Sequence, residues 1–309
     1  MARICVVLKR SSWRKWVEEE ADPRIVALLT ADDESVRRMR SSHLDHMETI
    51  AEVRQALEEV SADVSWHDQP HDFRIENGCD LVITVGGDGT LLAASHGIGP
   101  GVALLGVNSA PNHSVGFFCG ARKGAVHQAI SAALDGTLPR VELARMAVNL
   151  NGTRLLDRVL NEALFCHASP AATSRYILRV AREDGTVLAE EEQKSSGIWA
   201  GPAAGSTAAQ RSAGGEVLPL GSTELQYVVR EPYCPEGDTL ALTMGRLRQS
   251  HSLVIKSKMR RACLFLDGDG IVCDVTIGDV VTLHRSEQPL VVLGLARNGD
   301  SRGRMNAFR

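Results

Sequence analysis

The run Leu81-Val82-Ile83-Thr84-Val85-Gly86-Gly87-Asp88-Gly89-Thr90-Leu91-Leu92 joins an apolar segment to three glycines around one carboxylate. A short β-branched run that stops at glycine reads as a buried strand of a parallel sheet. The glycines predict a turn whose backbone takes positive φ and lies close to a ligand. Thr90 falls where a helix would begin, so free N–H groups and the helix dipole would favour a phosphate there. Asp88 would repel that phosphate. It makes sense if it binds Mg2+ or takes a proton from a hydroxyl that attacks the phosphate. The alternative, from these residues alone, is a tight turn with a solvated aspartate.

Four other stretches carry unusual polar residues. Leu160-Asn161-Glu162-Ala163-Leu164-Phe165 sets an amide and a carboxylate inside an apolar run, costly unless they bind something or are capped by backbone at a strand end. Gly201 to Gly215, GPAAGSTAAQRSAGG, is a small-residue loop with Ser206, Thr207 and Ser212. It suits close backbone approach to a ligand, and a flexible surface loop is the other reading. Asn108 ends the apolar run Val102 to Asn108 and opens the loop Ser109-Ala110-Pro111-Asn112. Asp267-Gly268-Asp269-Gly270 lacks the further oxygen ligands of a calcium loop, since Ile271 and Val272 follow, and reads as a hairpin turn. The histidines show no ligand spacing and no metal site is expected from protein side chains. The sequons at Asn112 and Asn151 are idle in a cytosolic chain.

The elements that must position these residues divide into two sets. Residues 1–138 alternate strands and helices: Arg3–Leu8, an amphipathic helix carrying Leu44, Met47, Ile50, Val53 and Leu57, the strand before Gly86, the strand ending at Asn108, and a helix Lys123–Leu134 closed by Asp135-Gly136. That rhythm predicts βαβ units, a Rossmann-like parallel sheet, and ligands at the carboxyl ends of its strands, where Asp88 and Asn108 both fall. Thr30 to Arg40 is charged and mixed and reads as a mobile loop. From Pro139 short strands recur with Gly/Asp turns, among them Thr239–Met244, which predicts an all-β domain over 139–286. A last apolar strand begins near Gln288, and the tail from Asn298 reads as loose.

With 309 residues, 44% hydrophobic and 23% charged content, two globular domains are expected. A net charge of −4 and 4% aromatics give no reason to expect nucleic acid or an anionic membrane as partner. Seven scattered cysteines without a C-x-x-C pair fit buried thiols in a reducing cytoplasm. No window has the length of a membrane span and the first residues lack a leader pattern, so a cytoplasmic protein is expected.

Taken in order, these motifs resemble the NAD kinase family. Gly86-Gly87-Asp88-Gly89-Thr90 is similar to its GGDGT motif and Asn161-Glu162 to its NE motif. Gly205-Ser206-Thr207-Ala208 with Ser212-Ala213-Gly214-Gly215 is similar to its GSTA…SAGG loop, and Asp267-Gly268 to a C-terminal DG turn. Diacylglycerol, sphingosine and phosphofructokinases share a GGDGT-like corner, so the ordered set carries the resemblance. It implies an N-terminal α/β domain and a C-terminal β-sandwich-like domain, the last strand, about 287–309, returning to the first. It also implies phosphoryl transfer from ATP, with Mg2+, to the 2′-hydroxyl of the adenosine ribose of NAD(H), and a homodimer or homotetramer.

By that resemblance Asp88 takes the hydroxyl proton. Gly86, Gly87, Thr90 and Asn108 form the phosphate loop, and Gly89 lies at the phosphates or ribose. Asn161 reads the adenine and Glu162 the ribose, while Lys194, Ser196, Thr207, Ala208 and Ser212 contribute to the NAD(H) pocket. Three departures bear on the nicotinamide side. Ser196 stands where the family usually has Asp, Ala209 where it often has Tyr, and the loop after Asn108 is longer and lacks the usual glycine. Lys194-Ser195-Ser196-Gly197 and the loop after Asn108 look more like the branch with the animal mitochondrial NAD kinases and some bacterial relatives. A lipid or sugar kinase with the same corner, and a non-catalytic NAD(H) sensor, are the alternative readings.

Overall fold

The computed structural model describes residues 1–75 and 78–295, and the chain falls into two compact units, Met1–Val141 with the strand from Leu290, and Glu142–Pro289. The Gly/Arg/Ser-rich tail from Asn298 lies outside the described residues.

In the first unit β1 (Ala2–Leu8), β2 (Ala62–His67), β3 (Leu81–Gly86) and β4 (Ala103–Asn108) form parallel pairs in the order β2-β1-β3-β4, extended by Leu290–Leu293 beside β4 and then by Arg140–Leu143. Every residue of β3 and β4 is buried, as befits central strands covered on both faces. The helices are α1 (Pro23–Thr30), α2 (Arg37–Glu58), α3 (Asp88–Ser95) and α4 (Val126–Leu134). Ile50, Val53, Ala56 and Leu57 of α2 and Val126, Ala129 and Ile130 of α4 pack on Ile4, Val6, Ile83, Val85, Leu105 and Val107.

The loop expected from Thr30 to Arg40 is found over residues 31–36, with Thr30 ending α1 and Arg37–Arg40 opening α2. Asp22 caps α1 by accepting the N–H groups of Arg24 and Ile25, with Pro23 at the first helical position. One expectation fails here: the buried stripe of α2 is displaced. Leu44 and Met47 are 52% and 48% exposed, whereas His46 and Thr49 join Ile50 and Val53 inside.

The second unit is a sandwich of two antiparallel six-stranded sheets among the described residues. One runs Val187–Ser195, Ser174–Arg182, His251–Ser257, Val280–Arg285, Met146–Leu150, Thr153–Val159. The other runs Met244–Leu247, Leu225–Arg230, Gly197–Pro202, Ala163–His167, Ala262–Leu266, Ile271–Val275. Their inner faces share one apolar core, with Phe165, Tyr176, Ile198, Leu253 and Leu264 fully enclosed. The strand expected over Thr239–Met244 lies instead at Met244–Leu247. Residues 267–270 do form a hairpin turn, with Leu266 opposite Ile271.

Candidate active site

The strand β3 ends at Gly86 directly opposite Asn108, the last residue of β4, so both meet the carboxyl edge of the sheet. Gly87 is extended (φ −112, ψ −166) and Asp88 opens α3. None of Gly86, Gly87 and Gly89 takes positive φ, contrary to expectation. What the corner requires is the absence of a Cβ. A Cβ on Gly86 would lie 2.2 Å from the Thr90 hydroxyl oxygen, whereas one on Gly89 would meet nothing within 4 Å. Buried Thr90 therefore closes over the strand end, and Gly89 is exposed beside the half-buried Asp88.

The Asp88 carboxylate is held by the backbone. Phe117 N–H donates to Oδ2 at 2.9 Å and Phe118 N–H to Oδ1 at 2.8 Å. Bonds of an ionised acceptor to fixed N–H groups are strong and set its orientation. The loop that supplies them is itself folded by Asn108. The Asn108 amide donates to Ser114 O at 3.0 Å, and its Oδ1 accepts from Ala110 N–H at 3.2 Å and the Ser114 hydroxyl at 2.9 Å. Gly116 sits at φ +63 with room for no Cβ against Asn108. Asn108 thus acts on Asp88 through the 109–118 loop, its side chain spent inside that loop.

Ser109, where the family usually has glycine, fastens the corner to α2. Its hydroxyl lies 2.9 Å from His46 Nδ1, and His46 Nε2 lies 2.9 Å from Lys9 O. A carbonyl only accepts, so Nε2 carries the proton and Nδ1 accepts from Ser109. The Thr49 hydroxyl donates to Ser109 O at 3.1 Å. His46 is 3% exposed, and burial pushes its pKa down to about 4. Unfolding releases a histidine that titrates near its ordinary 6.5, so the unfolded state binds the extra proton. Stability conferred by neutral His46 is therefore full above about pH 6.5 and lost as pH falls toward about 4, on the order of 3 kcal/mol over that window. Urea midpoints of wild type and His46→Gln across pH 4 to 7 measure this, and parallel curves would remove His46 as its cause.

Beside the corner lies a cavity of 340 Å3 lined by Lys9, Arg10, Asp68, Asp72, Gly89 and Thr90 among others. Arg10 is ion-paired with Glu19 and Asp68 with Arg14. The Lys9 ammonium has no ion pair among the described residues, and burial lowers its pKa.

In the second unit Asn161 and Glu162 stand just before the strand Ala163–His167. Their turn is clamped by Asp267, whose carboxylate accepts the N–H groups of Leu160 at 2.8 Å, Asn161 at 2.7 Å and Glu162 at 3.0 Å, while Asp267 N–H returns to Glu162 O at 2.9 Å. The Asn161 carbonyl is pressed onto two glycines: a Cβ on Gly205 would lie 1.7 Å from it and one on Gly201 2.3 Å. Glu162 is 8% exposed and its Oε2 has no hydrogen-bond partner among the described residues. Burial, and behind it the Asp267 charge, pushes the Glu162 carboxyl up to about 7. A buried carboxylate with an oxygen lacking a partner among the described residues, beside the Asn161 amide, suits hydroxyl or amino donors.

The model of the ATP-NAD kinase N-terminal domain matches residues 15–137. A probable NADH kinase of Oryza sativa is 34% identical over 271 residues, covering 82% of each chain, and an NADH kinase of Arabidopsis thaliana is 34% identical over 244 residues, covering 74% of this chain and 75% of the relative. The chain belongs to the NAD kinase family. Solved structures agree in fold: an NAD kinase from Archaeoglobus fulgidus in complex with ATP (18% identity, TM-score 0.69, 99% of each chain) and yeast NADH kinase complexed with NADH (16%, 0.68, 99% of this chain and 87% of that one).

The other family positions divide. Thr207 and Ala208 follow Gly205 on the corner that touches Asn161, half-buried, with Ser212 exposed one turn further. Ser206 is fully buried, donating to Ala203 O at 2.6 Å and accepting Leu218 N–H at 2.9 Å, and serves the loop. Lys194 and Ser196 are elsewhere. Ser196 N–H donates to Arg230 O at 2.9 Å at the start of the strand Gly197–Pro202. Five residues of extended chain separate it from Gly201, about 16 Å. Lys194 lines a different cavity, of 600 Å3, with Tyr233, Glu191 and Asp238.

Sequence reasoning missed Lys9, His46 and the clamp made by Asp267. His46 had a signal, since it is in helical phase with Ile50 and Val53. Asp267 had none beyond its turn, because its partners lie more than a hundred residues away in sequence.

Proposed function

We propose that this chain transfers the γ-phosphoryl group of ATP to the 2′-hydroxyl of the adenosine ribose of NAD(H), with Asp88 as the general base. The observation that carries this is the Asp88 carboxylate, oriented by two backbone N–H groups beside an open glycine in a chain of the NAD kinase family. A ribose hydroxyl is a weak nucleophile, so a fixed carboxylate that accepts its proton as the O–P bond forms lowers the barrier. ADP leaves from the donor side, and the proton resides on Asp88 until product release. Asn161, with its amide, and Glu162, with its carboxylate, hold the adenosine of the acceptor. Thr207, Ala208 and Ser212 complete that pocket in this reading.

Lys9 extends the reading to the donor. Its ammonium, without an ion pair among the described residues and lining the cavity with Gly89 and Thr90, suits the charge of a triphosphate. Lys9→Met is expected to raise the KM for ATP roughly tenfold or more, since a charge-assisted hydrogen bond contributes about 1.5–3 kcal/mol, and to leave the KM for NAD(H) nearly unchanged. An equal effect on both constants would remove Lys9 from the donor site.

Mg2+ travels with ATP in this proposal. Such a cation would be held chiefly by phosphate oxygens and water. Asp72, lining the same cavity, would help hold it, and the cation would neutralise charge on the β- and γ-phosphates. Among the described residues no helix is long and apolar enough to cross a membrane, and all seven cysteines are free. On the family resemblance alone we propose a homodimer or homotetramer, and from the scattered cysteines of the sequence a cytoplasmic location, checked by sedimentation and fractionation.

The deciding assay is NADP(H) formation by the purified chain with ATP and Mg2+, run with NAD and with NADH. The plant NADH kinases at 34% identity motivate both acceptors. Product from either supports the proposal. No product, with binding of both retained, would overturn it in favour of an NAD(H) sensor.

A further inference from the structure

The face of the parallel sheet opposite α2 and α4 carries a cluster that phosphoryl transfer does not use. On β1 and its edge neighbour β2, Ile4, Val6, Val64 and Trp66 pack toward the helices. Alternation therefore sends Arg3, Cys5, Asp63, Ser65 and His67 to the other side. Cys5 stands directly beside Ser65, and Arg3 beside Asp63. These five side chains and Arg74 line a cavity of 220 Å3. Two guanidinium groups and an imidazole meet one carboxylate among the described lining residues, a setting that favours a thiolate over a thiol.

Donors surround the Cys5 sulfur. The Ser65 hydroxyl oxygen and His67 Nε2 lie 3.0 Å apart, and both side chains hydrogen-bond to Cys5. The third partner is a second thiol, Cys79, just before β3. Its stretch is fastened to β1, since Asp80 accepts Arg3 N–H through Oδ2 at 2.8 Å and returns its own N–H to Arg3 O at 2.9 Å. The Cys79 sulfur lies 3.6 Å from Arg3 O and 3.1 Å from Leu81 O and is a hydrogen-bond partner of Cys5. That contact, and behind it Ser65 and His67, holds the Cys5 thiol well below the usual range against the opposing effect of burial. The same contact and burial push Cys79 up, so it keeps its proton. A half-buried nucleophilic sulfur at a cavity thus has a buried, protonated thiol beside it.

We propose that Cys5 is an oxidation site for small hydroperoxides, with Cys79 as the thiol that resolves it to a disulfide. The Cys5 thiolate attacks the outer oxygen of R–O–OH, so the S–O bond forms and the O–O bond breaks. The leaving RO− takes a proton from the Ser65–His67 pair, which water reloads, and Cys5 becomes a sulfenic acid. The Cys79 sulfur then attacks the Cys5 sulfur. The S–S bond forms, the S–O bond breaks, and the hydroxyl leaves as water with the Cys79 proton. The peroxide is the oxidant, and a thiol reductant returns the pair to its starting state.

The test uses the reduced full chain and mass spectrometry of each cysteine. Iodoacetamide at pH 7 is expected to label Cys5 about tenfold faster than Cys234, which is exposed. His67→Gln should raise the pH midpoint of Cys5 labelling by about one unit. Near-stoichiometric hydrogen peroxide should yield a Cys5–Cys79 linked peptide that dithiothreitol removes. In Cys79→Ser the same treatment should leave Cys5 as a sulfenic acid trapped by dimedone. Labelling of Cys5 no faster than Cys234 in the wild type overturns the proposal, and so does peroxide oxidation spread over the cysteines without preference for Cys5. A wild-type Cys5 that stays dimedone-reactive overturns the role of Cys79. These wild-type readings hold whether or not any variant folds.

Discussion

Asp88→Asn lowers the rate of NADP(H) formation by about a hundred- to ten-thousand-fold, the span that a positioned general base contributes. The substitution acts twice. An amide cannot take the ribose proton, and it also disturbs the hold on the side chain. One amide oxygen can still accept from Phe117 or Phe118, but the NH2 group then faces the other N–H, a donor against a donor. The 109–118 loop should loosen, and the KM for either nucleotide, read beside kcat, separates the two effects. Loss in kcat with both KM values within a few-fold assigns the effect to proton transfer. A thermal melt within a few degrees of wild type shows that the corner still folds. Retention of wild-type kcat within tenfold would falsify the assignment of Asp88 as base.

Much of this corner was legible because its signals are local. β3 and β4 are buried at every position, and a parallel strand buried on both faces reads as an uninterrupted apolar run. The hairpin at 267–270 likewise follows from four consecutive turn residues. The reason for the glycines was misread, since positive φ and closeness of approach leave the same mark in a sequence. Only coordinates separate Gly86, which has no room for a Cβ, from Gly89, which has every room. Hydropathy favours a stripe through Leu44 and Met47 on α2, while the polar pair His46 and Thr49 is buried because Ser109 and Lys9 O supply partners. Partners distant in sequence are invisible to periodicity, and the site depends on several of them.

The clearest of these distant partners gives the second large effect. Asp267→Ala is expected to destabilise the second unit by roughly 3 kcal/mol and to raise the KM for NAD(H) at least tenfold, with the KM for ATP nearly unaffected. Three N–H groups of the turn lose their acceptor together. Asp267 also sits at φ +50, where alanine is strained and asparagine is tolerated. Asp267→Asn should therefore be milder on two counts. It keeps the left-handed backbone, and its remaining oxygen can still serve Asn161 and Glu162, which both use Oδ1, while only the Leu160 bond is lost. Removing the negative charge further lowers one of the influences that raise the Glu162 carboxyl, so the pH dependence of KM in Asp267→Asn should move toward acid. Urea unfolding followed by a probe in the second unit, with KM profiles for both substitutions, resolves the order. Equal effects of Ala and Asn would mean that the charge, rather than the geometry of the three bonds, holds the turn.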